Sequence, residues 1–276
     1  RNELAAKVRE GKVDKKDSDR AIELLTVINE CGRQDKILYR EFEKNLIEQE
    51  KQKLEAFFGR LIEVPPLPTE ITPERIAEWQ EKRLELHYLP PIDMAKLFGL
   101  GKKWLNPRLP MKKLANPETA MRLPGCWILI DGRPKPKYQH QGTYYADDSS
   151  FLEPVLEKLR RDGTIVDFNG NQSRCNIQYT DLRKPEAIKA LADACGLRPE
   201  QFSLPTAIEF NVIGNMYHPE WGIHPSTLEE FFSDKCKDSS ESLVGGGYSL
   251  TNGLLVFDTI QGASLTIGFR PLGRFS

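Results

Sequence analysis

Apolar positions recur at helical spacing through the first third of the chain and at strand spacing through the last. Ser18 precedes Ala21, Ile22, Leu24, Leu25 and Ile28, and Gly32 closes that run as a helix stop. Leu38, Phe42, Leu46, Leu54, Phe57, Phe58 and Leu61 continue the helical period until Pro65-Pro66. Thr72-Pro73 begins a further helix, with Thr72 as N-cap and Pro73 in the first helical position. Ile76, Trp79 and Leu84 are assigned to its buried side and Pro90-Pro91 to its end. Between these apolar positions Glu, Lys and Arg are dense, which predicts a solvated face. Pro107, Pro110 and Pro117 mark a linker over 92–120.

From Leu123 the pattern changes. Cys126-Trp127-Ile128-Leu129-Ile130 before Asp131-Gly132 predicts a strand and a turn. Ser150-Phe151-Leu152-Glu153 has the spacing of a capping box, and Val155, Leu156 and Leu159 continue a helix that Asp162-Gly163 stops. Pro185 opens another helix, carrying Ile188, Leu191 and Ala194, with Gly196 at its end. Thr206-x-x-Glu209 and Ser226-x-x-Glu229 predict two more capped helices. After Val244 the chain turns to Gly and β-formers: Tyr248, Leu254-Leu255-Val256-Phe257 and Leu265-Thr266-Ile267. The pattern predicts an α+β fold: a helical N-terminal domain and linker over 1–120, then a mixed domain over 121–276 that ends in a β-meander.

Composition adds limits. The chain has 276 residues, 39% of them hydrophobic, and a net charge of −1. That balance does not call for nucleic acid as a partner. No apolar run reaches the ~18–20 residues of a membrane span. The first residues, beginning at Arg1, do not carry the apolar core of a signal peptide, and the compartment is left open. Cys31, Cys126, Cys175, Cys195 and Cys236 are scattered, with no C-x-x-C pair, and are expected as reduced thiols. His87, His140, His218 and His224 form no H-x-x-x-H pair, so no metal site and no cofactor are expected from spacing.

Once these elements are in order, residues from about 123 to 276 resemble the formylglycine-generating enzyme family and its C-type-lectin-like fold. Ile177-Gln178-Tyr179-Thr180-Asp181-Leu182 stands where that family has V-S-W-x-D-A. Leu204-Pro205-Thr206-Ala207-Ile208-Glu209-Phe210-Asn211 is similar to L-P-T-E-A-E-W-E, and His218-Pro219-Glu220-Trp221-Gly222 to Y-P-W-G. Leu228-Glu229-Glu230-Phe231-Phe232-Ser233-Asp234 approximates V-W-E-W-x-x-D, Val244-Gly245-Gly246-Gly247-Tyr248 approximates R-G-G-S-W, and Gly268-Phe269-Arg270 matches G-F-R. Phe210, Trp221 and Phe231 read as core anchors. Arg270 reads as a structural residue bonded to loop carbonyls or a carboxylate.

The family's copper-binding cysteine pair maps onto Leu250 and Leu255, which offer neither thiolate nor lone pair. The iron-binding histidine cluster of the related ergothioneine sulfoxide synthases has only His87 to represent it in the N-terminal region. Glu230 and Asp234 stand where relatives of the fold hold calcium, but an ion that takes 6–8 oxygens needs more than two carboxylates. The resemblance therefore implies a non-catalytic protein; a divergent oxidoreductase of the formylglycine-generating type is the alternative.

Variable proteins of diversity-generating retroelements resemble this chain in the same way and also close on G-F-R. In them, codons before that motif are rewritten at template adenines, which cannot turn Asn codons into Lys, Glu, Met, Trp or Gln. Residues 245–267 contain no Lys, Glu, Met or Trp; Gln261 is the one Gln and Asp258 the one charged residue. The face so implied comprises Tyr248, Ser249, Leu250, Thr251, Asn252, Leu255, Asp258, Thr259, Gln261, Ser264 and Thr266. Tyr supplies contact area at low entropic cost, while small hydroxyl and amide groups adapt their hydrogen bonds. The expected partner is a macromolecule, protein or glycan.

Overall fold

A computed structural model describes residues 39–95, 111–133, 151–166, 174–222, 229–245, 257–262 and 267–275. They have a mixed α+β architecture. The chain divides into compact units at 1–49 and 50–276. In the first, residues 39–49 are helical.

The second unit opens with helix α1 over 50–58, followed by Gly59 at φ 65, a left-handed stop. The helix therefore ends before Leu61, which is exposed, rather than running to Pro65. Helix α2 (Pro73–Glu81) begins as expected, with Thr72 accepting from the Arg75 N–H at 3.4 Å. It stops short of Leu84. Leu84–Leu89 is a strand, β1, where a helical continuation was expected. Arg83 at φ 55 turns the chain, and the alternation of Leu84, Leu86 and Tyr88 with Glu85 and His87 has the period of a strand.

β1 pairs antiparallel along its whole length with β2 (Cys126–Asp131), from Leu84 opposite Asp131 to Leu89 opposite Cys126. Residues expected on either side of the linker thus share one sheet. The linker itself is stitched in by bridges between Asp93 and Arg122 and between Leu114 and Cys236. Helix α3 (Glu153–Arg161) starts without a side-chain cap, with Leu152 at the N-cap position and Pro154 in its first turn; the Ser150 of the expected capping box lies outside the described residues. Gly163, at φ 73, follows it. Helices α4 (Tyr179–Leu182) and α5 (Pro185–Ala194) follow, and Trp79 of α2 donates to the Cys195 carbonyl at the end of α5 at 2.9 Å.

β3 (Phe202–Ser203) leads into helix α6 (Ala207–Tyr217), whose first half is entirely buried. The other strands are β4 (Glu229–Phe231), β5 (Ser242–Gly245), β6 (Phe257–Ile260), β7 (Ile267–Gly268) and β8 (Leu272–Phe275). Glu229–Phe231 was expected in a helix. It is instead held between β5 on one side and β7 on the other, and strand pairing overrides the local capping signal. The sheets run β1-β2-β8-β3 and β6-β5-β4-β7. The second is not a plain meander, because β4 and β7 are parallel, and β8 returns to the first sheet beside β2. Phe210, Trp221 and Phe231 are buried, as expected of core anchors. No described helix is long and apolar enough to cross a membrane.

The turn after β2 is built on a buried carboxylate. Asp131 is wholly inaccessible, and its Oδ2 accepts from Arg133 Nη2 at 2.7 Å and Arg174 Nη2 at 2.8 Å. Burial raises the cost of its charge, but Arg174 and its companions overcome that and hold the carboxyl well below the usual range. Arg270, also wholly buried, donates from Nη1 to the main-chain oxygens of Asp131 and Arg133. Replacing Asp131 by Asn should cost about 3–5 kcal/mol, because it strands guanidinium groups that have no access to water. Urea unfolding of Asp131→Asn against the parent protein measures it.

Candidate functional site

Most of the expected variable face lies beyond the described residues: Tyr248, Ser249, Leu250, Thr251, Asn252, Leu255, Ser264 and Thr266. Asp258 and Thr259 are in β6, paired with Val244 and Leu243 of β5. Gln261 follows the strand, is exposed, and donates to Ser240 Oγ at 3.1 Å. These three positions stand together at the edge of the second sheet, where β6 is the terminal strand.

The residues read as the frame of the scaffold are tightly fixed. Thr206 accepts from the Glu209 N–H at 3.3 Å, and Glu209 returns the bond by accepting from the Thr206 N–H at 2.7 Å. Arg274 of β8 donates to Glu209 Oε2 at 2.6 Å. Asp234, one of the pair weighed for calcium, is occupied as a further cap and accepts from the Ala207 N–H at 2.7 Å. Gly268-Phe269-Arg270 closes the frame: Phe269 is fully buried, and the Arg270 guanidinium lies 3.9 Å over the Trp221 ring.

Cys126, Cys195 and Cys236 are shifted away from the thiolate form. Burial pushes the Cys126 thiol up to about 11 and the Cys195 thiol up to about 12, and it raises Cys236 as well. None of the four described cysteines forms a disulfide.

The fold brings together one polar cluster that residue spacing does not announce. Glu85 and His87 alternate out of the same face of β1, and His218 caps the C-terminus of α6. Glu85 Oε2 lies 3.2 Å from His87 Nε2 and 2.9 Å from His218 Nε2. His87 Nδ1 lies 3.2 Å from Glu50 Oε1 of α1. Glu50 Oε2 accepts from the Tyr217 hydroxyl at 2.7 Å and from the Tyr88 N–H at 3.3 Å. Tyr217 also stacks on His87 with ring centroids 3.8 Å apart, and His218 stacks on Trp221 at 4.4 Å. Gly132, across the strand pair, leaves room for Glu85, since a Cβ there would overlap its carboxylate.

Charge is shared across this cluster. Burial works to lower the His87 pKa, but the hydrogen bonds and charges of Glu50 and Glu85 reverse it and hold the imidazole above its ordinary value. Burial likewise opposes ionisation of Glu85, but His218 and His87 draw its carboxyl down to about 2. Among the described residues, Glu85, His87 and His218 are the His, Cys and carboxylate side chains grouped closely enough to hold a metal ion. The signal in the sequence was the E-x-H alternation of 84–89, which a helical reading of that segment conceals.

Comparison with protein-family models, with curated proteins and with solved structures finds no match to this chain.

Two outcomes follow from this geometry. Glu50→Gln removes the charge that faces His87 in the interior and should lower unfolding stability by about 1–3 kcal/mol; Glu85→Gln, at the half-exposed end, should cost less. Burial pushes the half-buried Asp234 carboxyl up to about 6 from 3.8, with the Ala207 N–H opposing and Glu209 adding to it. A raised carboxyl favours folding fully below pH 3.8, and that contribution is lost as pH rises through about 6. In Asp234→Asn the amide oxygen still accepts from Ala207. This variant should exceed the parent protein by about 1–2 kcal/mol at neutral pH and match it near pH 4, as read from urea midpoints across that range.

Proposed function

We propose that this chain is a non-catalytic recognition protein in which a C-type-lectin-like scaffold displays an exchangeable surface between Gly245 and Ile267. The observation that carries the reading is the contrast around the last strands. Phe269 and Arg270 are completely buried and Arg270 is bonded to loop carbonyls, while Gln261, a few residues earlier, is exposed at the end of an edge strand. A locked motif beside an accessible edge is the arrangement in which side chains can be exchanged without disturbing the core. The capped helix α6 and the buried Phe210, Trp221 and Phe231 support the same scaffold. The raised thiol pKa values of Cys126, Cys195 and Cys236 weigh against the oxidoreductase alternative, which needs thiolates. The proposed partner is a protein or a glycan, and the proposed origin of the variation is a diversity-generating retroelement.

Two measurements test this. DNA flanking the coding sequence should hold a near-copy of its 3′ end, differing at adenines, beside a reverse transcriptase; absence of both removes the retroelement. Substitution of Ser249, Thr251, Asp258, Thr259 or Gln261 by Ala should change stability by no more than about 0.5 kcal/mol. Phe269→Ala should cost about 3–5 kcal/mol. Large losses at the first group would place those side chains in the core and end the display reading, and conversion of a substrate cysteine to an aldehyde on addition of copper would replace it with catalysis.

A further inference from the structure

We propose that Glu85, His87 and His218 form a binding site for a divalent transition cation of the zinc class, with Glu50 as the carboxylate that orients His87. This site is independent of the display surface and goes beyond it. It draws on two elements, β1 for Glu85 and His87 and the C-terminus of α6 for His218, so an ion would tie the edge of the first sheet to that helix end.

The donor atoms are spaced for one ion. Glu85 Oε2 is 2.9 Å from His218 Nε2 and 3.2 Å from His87 Nε2, and all three ligand atoms lie within 4.8 Å of one another. Zinc bonds of about 2.0–2.1 Å place neighbouring tetrahedral ligands about 3.3 Å apart. The two short separations are already at that scale. Two imidazoles and a carboxylate select a borderline cation such as Zn²⁺ or Co²⁺ over Mg²⁺ or Ca²⁺, which prefer oxygen alone.

The surroundings are those of a supported ligand set. A metal-binding imidazole commonly donates its other N–H to a carboxylate, which fixes the ring and the tautomer. Glu50 Oε1 stands 3.2 Å from His87 Nδ1 and leaves Nε2 to the ion. Glu50 is itself held by the Tyr217 hydroxyl and the Tyr88 N–H. Stacking on Tyr217 fixes the His87 ring and stacking on Trp221 fixes the His218 ring. The Glu50 and Glu85 carboxylates together balance the charge of a dication, although Lys53, with Nζ 5.0 Å from the Tyr217 ring centroid, adds a nearby positive charge. His87 and His218 are buried, but the Glu85 side chain is 40% exposed, which gives an ion a path in and leaves a coordination position open to water.

The test uses the full chain, freed of metal with a chelator and titrated with Zn²⁺ by calorimetry and with Co²⁺ by visible absorption. One equivalent should bind at micromolar affinity or tighter, with the ligand-field bands of a low-symmetry nitrogen–oxygen site and no thiolate charge-transfer band. Glu85→Gln and His218→Ala should each weaken binding by about 100-fold or more, and Glu50→Gln by about 10- to 100-fold. Cys236→Ser should leave it unchanged. Zn²⁺ should raise the Tm of the parent protein but not that of Glu85→Gln, a half-exposed change chosen so that folding is retained. Failure of the parent protein to take up either ion would overturn the site. So would binding that survives in Glu85→Gln and His218→Ala, or a thiolate band with Co²⁺.

Discussion

The buried carboxylate of Asp131 is the point on which the larger unit depends. It closes the central strand β2, and the groups that answer it come from separate parts of the chain: Arg133 just after the strand, and Arg174 from the segment before α4. Arg270 approaches the same turn through its main-chain oxygens. Three guanidinium groups around one carboxylate leave an excess of positive charge, and carbonyl oxygens absorb it; Arg174 also donates to the Phe269 carbonyl at 3.2 Å. A buried ion pair of this kind adds little net stability over an apolar substitute, since desolvation offsets the attraction. The guanidinium groups tie together the turn after β2, the segment at 174 and the G-F-R motif.

The same interaction reaches the His cluster through a single ring. Trp221 lies under Arg270 on one side of the network and stacks on His218 on the other, with Phe210 stacked against it at 5.0 Å. Glu85 is next to Leu84, which pairs with Asp131, and it fits only because Gly132 has no side chain. Two clusters that look unrelated in the sequence, one acidic and basic, one of His and Glu, are therefore neighbours across one strand pair. A change that shifts Trp221 would disturb both, so their effects on stability should not add.

Elements with their own local signal were legible in the sequence. β2 follows from Cys126-Trp127-Ile128-Leu129-Ile130, α5 from Pro185 and Gly196, and α6 from Thr206 and Glu209, because each carries its boundaries within a few residues. What failed depended on partners far along the chain. Glu229–Phe231 has a helix-start pattern nearby, yet β5 and β7 claim it as a strand. Leu84–Leu89 carries a strand alternation, but its continuity with α2 masks the change of period at Arg83. That error hid the cluster, since Glu85 and His87 share a face only in a strand. His218 is 131 positions beyond His87, and no spacing rule connects them.

The mechanics of the second sheet bear on the recognition surface proposed at its edge. β6 is held through main-chain pairing of residues 257–260 with β5, and those bonds do not depend on the side chains that β6 carries. On one side of the interval 245–267 the chain is anchored by β5, buried throughout, and on the other by β7 and the buried Phe269 and Arg270. With both ends fixed, the entropic cost of closing the intervening chain is set by its length and changes little with its sequence. The proposed exchange of side chains in the interval requires that the main-chain bonds of 257–260 are kept. The buried contacts of Asp131, Trp221 and Arg270 lie outside it.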